Sequence, residues 1–158
     1  MTLSPAHHDH GHCVATALAT AEAECRRRGA RLTDIRRQVL ELVWRSHVPV
    51  GAYALLEALG KAAPPTVYRA LDFLLAHGLI HRIETLNAYV GCPHPGHGAA
   101  GQFLLCRRCG AAAELNDAGI ELAVARAAAA LGFSIAALTV EAEGVCRFCR
   151  GQDAEAAR

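Results

Sequence analysis

Two Cys-x-x-Cys pairs stand in the second half of the chain, Cys106 with Cys109 in "CRRCG" and Cys146 with Cys149 in "GVCRFCR". Two residues between thiolates let one tight turn aim both sulfurs at a single ion. Zn2+ takes four such ligands in a tetrahedron, so the two pairs together predict a structural four-cysteine zinc site. Gly110, directly after the first pair, suits that turn because glycine tolerates positive φ. Haem attachment requires a histidine after the second cysteine, where Gly110 and Arg150 stand instead. A redox Cys-x-x-Cys is ordinarily single and opens a helix of a thioredoxin-like fold, a pattern this chain lacks. The 36 residues between the pairs exceed a usual zinc-ribbon loop and must hold secondary structure of their own.

That intervening segment reads as the elements a staple would tie together. "AAAEL" is the end of a strand. "NDAGIELAVARAAAALG" is a helix opened by Asn116 or Asp117 and closed by Gly132. "FSIAALTVEAEG" alternates, with Leu138, Val140 and Ala142 on one face and Thr139, Glu141 and Glu143 on the other. The second half is therefore strand, strand, helix, strand, with the zinc joining the end of the first strand to the end of the last.

The first half is helical. "CVATALATAEAECRRRG" ends at Gly29. "LTDIRRQVLELVWRS" starts at the N-cap Thr33 and carries Ile35, Val39, Leu42 and Val43 on one face. "GAYALLEALG" is short. "PPTVYRALDFLLAHG" has proline at its start, Gly78 at its end and a stripe of Val67, Leu71, Leu74 and Leu75, with Arg69, Asp72 and Ala76 on the other side. "LIHRIETLNAYVGC" reads as two strands around a turn near Asn87. Helices followed by a β-hairpin make a winged helix-turn-helix, whose last helix would read the major groove; from periodicity alone a generic helical bundle with solvated arginine faces is the equal alternative. The fold class is thus α+β, an N-terminal winged helix-turn-helix followed by a small α/β domain.

Composition bounds what such a chain does. Its 158 residues, 53% hydrophobic, allow two small cores, and a net charge of +1 singles out no partner. The charge is uneven, with seven arginines and two acids between Arg26 and Arg45. No 18-residue apolar run predicts a membrane span, and "MTLSPAHHDHGHC" lacks the basic and apolar regions of a signal peptide. The expected location is the cytoplasm, where thiols stay reduced and seven cysteines favour metal ligation over disulfides. No Ser/His/Asp order, glycine-rich phosphate loop or paired-carboxylate motif supports catalysis, and no small organic substrate is expected.

"RLTDIRRQVLELV", "PPTVYRALDFLLAHGLI", "CRRCG" and "GVCRFC", in this order over about residues 14 to 150, resemble the Fur family of metal-dependent repressors. "PPTVYRALDFLLAHGLIHRIE" and "NAYVGC" are similar to its zinc uptake regulator branch. The resemblance implies a winged-helix DNA-binding domain (14–91) and a zinc-binding α/β dimerisation domain (92–150); outside it a flexible His-rich N-terminal tail (1–13) and a C-terminal tail (151–158) are expected. It further implies a homodimer that binds double-stranded operator DNA when loaded with zinc and blocks transcription of zinc-import genes. Two zinc ions per chain follow, one structural and one regulatory.

Carried over position by position, the regulatory ligands fall on His81, Cys92, His97 and Glu114. Two imidazoles, one thiolate and one carboxylate form a sensible tetrahedral zinc set, and the thiolate suits Fe2+ or Mn2+ less well. An iron- or peroxide-responsive member of the family is the alternative, and Cys92 argues against it. His94 competes with His97, which is preferred because it lies farther from Pro93 and Pro95. Tyr53 and Arg69 match positions that contact bases in similar regulators, Tyr68 lies beside Arg69 on the reading helix, and Arg31 and Arg36 join Arg26, Arg27, Arg28 and Arg37 as candidates for DNA-backbone contacts. Two features depart from the wider family: "GHGAAGQF" replaces a His-rich run, and Ala137 and Leu138 stand where many relatives place a histidine. A third metal site is therefore not expected. "HHDHGH" is read as tail, with weak metal binding as the alternative, His77 as a helix C-terminal residue, and Cys13 and Cys25 as helix-packing or inert thiols.

Overall fold

The structure, a computed structural model, describes residues 10–95 and 101–156. Six helices and six strands follow one another among these residues: α1 His10–Arg27, α2 Asp34–Trp44, β1 Val50–Gly51, α3 Ala52–Leu59, α4 Pro64–Ala76, β2 Ile80–Ile83, β3 Ala88–Gly91, β4 Gly101–Cys106, β5 Ala112–Leu115, α5 Ala118–Ala130, β6 Thr139–Gly144 and α6 Arg147–Ala156. The winged helix is built as its apolar periodicity demands. Val39, Leu40 and Val43 of α2 and Val67, Ala70, Leu71 and Leu74 of α4 bury their side chains in one core with Ala21 and Cys25 of α1. Burial of each large aliphatic side chain there contributes about 1.5–3 kcal/mol. Leu40, absent from the stripe read in the sequence, is 1% exposed, while Ile35 and Leu42 are only half-buried.

Turn chemistry sets the boundaries. Gly29, Gly60, Gly78 and Gly132 take positive φ at helix ends, and Asn87 does so in the wing turn at φ 46°. Thr33 occupies the N-cap of α2 without a side-chain cap bond, whereas Asp117 caps α5 by accepting from the Gly119 N–H. The wing is the antiparallel pair β2–β3, extended by the two-residue β1 into a sheet of order β1-β3-β2. So short a strand offers no alternation to read.

The C-terminal sheet has order β5-β4-β6, with β4 antiparallel to β5 and parallel to β6. The helix α5 supplies the crossover that a parallel pair requires. The strand expected over "FSIAALTVEAEG" begins only at Thr139. Both expected tails are partly helical: α1 starts at His10 and α6 continues to Ala156. The two sheets meet through a second apolar cluster, in which Ile83 and Val90 of the wing pack with Phe103 and Leu105 of β4. The Ala112 N–H donates to His47 O at 3.0 Å, which ties β5 to the loop after α2.

Candidate metal centres and nucleic-acid face

The parallel register of β4 and β6 aligns Cys106 with Gly144, so both Cys-x-x-Cys turns emerge at one end of the sheet. Gly110, at φ 73°, turns the chain after the first pair, and its N–H donates to Cys106 O. The four sulfurs lie within 4.8 Å of one another. Cys106 and Cys149 Sγ are 3.9 Å apart, and Cys109 and Cys146 Sγ 3.8 Å. A tetrahedron with Zn–S bonds of about 2.3 Å has edges of about 3.8 Å, so the spacing fits zinc; a disulfide requires about 2.05 Å. Backbone N–H groups of Cys109 and Cys146 donate to the Cys106 sulfur and lower its thiol to about 6. The neighbouring Cys146 sulfur, with burial and the remaining sulfurs, pushes Cys149 up to about 12. One thiolate forms readily and the last with difficulty, and a divalent cation removes that like-charge penalty.

The second donor group is assembled from distant parts of the chain. His81 lies on β2, Cys92 directly follows β3, and Glu114 lies on β5. Their ligand atoms lie within 4.8 Å of one another. Cys92 is 4% exposed, held by its N–H bond to Leu79 O. His81 Nε2 stands 3.2 Å from Glu114 Oε1 but out of hydrogen-bond alignment. Both His81 Nε2 and Glu114 Oε2 are buried without a hydrogen-bond partner among the described residues. Buried polar atoms are almost always satisfied, so a converging, unsatisfied imidazole and carboxylate fit a cation. Burial opposes charge on His81, but the Cys92 sulfur and the Glu114 carboxylate outweigh it and raise its pKa to about 9. The Phe103 ring lies beside the group, its centroid 5.3 Å from that of the His81 ring and steeply inclined to it.

His97, the expected fourth ligand, lies outside the described residues. His94 is exposed on the segment leading to it. Of "HHDHGH", His7 and His8 lie outside the described residues, while His10 and His12 belong to α1. The His10 ring lies 5.2 Å from that of His47. Among the described residues, the groups able to hold an ion are the two above. Cys25 is buried in the core, which raises its thiol pKa, and Cys13 is half-buried. His77 caps α4 and stacks on Phe73.

The exposed face of α3 and α4 presents Tyr53, 84% exposed, with Tyr68 and Arg69. The arginine excess is smaller than the count suggested, because Glu22 and Glu24 lie just outside the counted window. Arg27 and Arg28 pair with Glu24, Arg37 with Glu22 and Arg45 with Glu41. Arg36 lies 3.4 Å over the Phe73 ring and donates to Arg31 O, so its guanidinium is engaged inside the winged helix, while Arg31 itself is exposed. Surface pairs of this kind are worth about 0–1 kcal/mol and exchange partners easily. Sequence reasoning did not find Gly91, whose missing side chain makes room for Trp44: a Cβ there would lie 2.2 Å from the indole ring. It also gave no role to Glu141, described below.

The profile of the Ferric uptake regulator family matches residues 27–143. The zinc uptake regulation protein of Escherichia coli (strain K12) is 42% identical over 139 residues, covering 84% of this chain and 80% of that one. A zinc uptake regulator solved in complex with zinc and DNA is 38% identical, with a TM-score of 0.80 over 89% of this chain and 97% of that one. Holo XcZur, 43% identical, gives a TM-score of 0.80 over 86% of this chain and 98% of its own. Apo XcZur, 42% identical, gives 0.51 over 87% and 97%. One relative in two states thus matches this chain differently over nearly equal lengths. The chain belongs to the Ferric uptake regulator family.

Proposed function

We propose that this protein is a zinc-responsive transcriptional repressor that acts in the cytoplasm, binds operator DNA as a homodimer and controls zinc uptake genes. Cys106, Cys109, Cys146 and Cys149 hold the structural zinc. His81, Cys92 and Glu114, with His97, hold the regulatory one. The observation that carries this reading is the second donor group, whose ligand atoms come from the wing, the linker and the C-terminal domain yet lie within 4.8 Å of one another. A purely structural site has no need to span two domains, whereas a sensor must. A zinc ion there supplies the divalent charge that joins the three donors. The linked domains then set how far apart the two reading helices of a dimer lie, and they must sit about one turn of DNA apart, ~34–36 Å or a multiple, to bind together.

Several further features support the reading. The E. coli relative is a zinc uptake regulation protein, and a second relative has been solved with zinc and DNA. Tyr53, Tyr68 and Arg69, exposed on α3 and α4, are the side chains offered to bases, and exposed Arg31 is offered to backbone phosphates, for which Arg36 would first have to leave the Phe73 ring. The helix α5 buries no residue within the chain, and Leu122, Leu131 and Phe133 are more than half exposed. A helix this apolar and uncovered fits a partner surface, here a second copy. Nothing in the geometry favours the iron or peroxide reading, since a buried thiolate selects softer metals. The test is operator binding by purified wild-type protein across buffered free Zn2+, Fe2+ and Mn2+. Binding that rises with zinc, at two zinc per chain with one resistant to mild chelation, supports the proposal. Binding that follows Fe2+ or Mn2+, or ignores all three, overturns it.

A further inference from the structure

Register places three side chains in one row across the C-terminal sheet. Phe103 of β4 pairs with Glu114 of β5 on one side and with Glu141 of β6 on the other. Residues directly opposite on neighbouring strands share a face. This face meets the wing residue by residue. Glu114 stands beside His81, and Phe103 packs against Ile83 and lies at a steep angle to the His81 ring. Glu141 grips the turn that follows β2. Its Oε1 accepts the Glu84 N–H at 2.6 Å, its Oε2 accepts the Thr85 N–H at 3.0 Å, and Oε2 also accepts the Thr85 hydroxyl. These partners lie 56 and 57 residues away in sequence. Burial pushes the Glu141 carboxyl up, but the three donors outweigh it and hold the group below the usual carboxylate range.

We propose that Glu141 is a positioning residue of the zinc switch, a second fastening between wing and C-terminal domain at the end of β2 opposite the metal donors. The metal group and the linker hold the His81 end of the wing, and Glu141 holds the turn end. The two fastenings hold opposite ends of β2 and, with the apolar cluster and the Ala112–His47 bond, favour one orientation. Any contact that favours this orientation must also tighten zinc, because ligand affinity and conformational population are linked. Glu141 belongs to neither donor group, so its effect on zinc is carried by the orientation of the wing.

This inference rests on the zinc-switch reading for its effect on DNA, but the fastening itself has a separate readout. The amides of Glu84 and Thr85 lie in an exposed turn and should exchange with solvent slowly only while Glu141 holds them. The experiment is hydrogen exchange of residues 84 and 85, with zinc affinity and operator affinity measured against buffered free zinc, for wild type, Glu141→Ala, Glu141→Gln and Thr85→Val. The zinc content of the four-cysteine site is followed alongside. Glu141→Ala should release both amides and raise the free zinc needed for half-maximal operator binding by about tenfold, the scale of losing charge-assisted hydrogen bonds at a partly exposed site. Glu141→Gln, which keeps an acceptor without the charge, should fall between it and wild type. Thr85→Val removes one surface donor, leaves the strands untouched, and should shift the midpoint a smaller distance in the same direction, which decides the matter should Glu141→Ala fail to fold. Amides that exchange as fast in wild type as in the variants, or an unmoved midpoint beside intact zinc dependence, overturn the inference. Slow exchange lost in the variants, in a protein whose DNA binding ignores zinc, would uphold the fastening and sink the repressor reading instead.

Discussion

Four sulfurs within 4.8 Å of one another, from the end of β4, the turn after it, the loop after β6 and the first turn of α6, make a site that closes only when every ligand is present. Cys106→Ser therefore removes both a ligand and the sulfur that accepts the Cys146 N–H. The expected result is loss of the chelator-resistant zinc and unfolding or dissociation of the C-terminal domain, read by metal analysis and circular dichroism; a folded protein with unchanged zinc would sink the four-cysteine assignment. At the DNA face, Arg69→Ala should cost about 1–3 kcal/mol of operator affinity and relax preference at one base pair per half-site. Selection from randomised operators checks this, and uniform weakening on all sequences would make Arg69 a phosphate contact. The four cysteines were legible because their signal is local, two pairs with a spacing that only a turn explains. His81, Cys92 and Glu114 were not legible from spacing, since strand pairing rather than sequence proximity brings them together. They came from family resemblance alone. Glu141 carried no signal of either kind, because its partners lie 56 and 57 residues away and an acid on an alternating strand reads as solvated.

At the scale of elements, the sequence reports helices best, because a 3.6-residue apolar stripe and a terminal glycine are both visible in one stretch. The core stripe of α4 and the glycines at 29, 60, 78 and 132 are examples. It reports close packing between elements poorly, and Gly91 shows why. The glycine ends β3 one residue before Cys92, and its bare Cα lies under the Trp44 ring of α2. Nothing in "NAYVGC" announces an indole contributed from elsewhere. Gly91→Ala must displace that ring or the strand that aims Cys92. The expected destabilisation is about 1–3 kcal/mol, the usual range for overpacking. Trp44 is the only tryptophan, so its fluorescence during denaturant unfolding reports the change directly, and an unaltered midpoint and emission would contradict the packing. The exposed α5 is the converse case, an element legible as a helix from its cap and closing glycine but one that buries no residue within the single chain. Leu122→Glu together with Phe133→Glu should shift the protein towards monomer in light scattering without loss of the structural zinc. A variant that remains dimeric would place the interface elsewhere.

For the whole molecule, the orientation of the winged helix relative to the C-terminal domain is the quantity that matters. It is fixed by contacts that no local pattern encodes: the Ile83–Val90–Phe103–Leu105 cluster, the bond from Ala112 to His47, the Glu141 grip and the split donor group. The better match to the holo than to the apo form of one relative belongs to the same scale. A ligand shifts such an equilibrium only by its difference in affinity between the two arrangements. A zinc ion held across both domains would have that difference, and one held in the four-cysteine site, confined to one domain, would not. The most direct test is operator affinity measured against buffered free zinc for wild type and Cys92→Ser, with zinc content followed in parallel. Cys92→Ser should stay folded and dimeric, keep its structural zinc, lose the second ion, and lose zinc-dependent operator binding or require far more free zinc for it. A variant that loses one zinc yet binds operator as wild type does would show that the His81, Cys92 and Glu114 group is not the sensor.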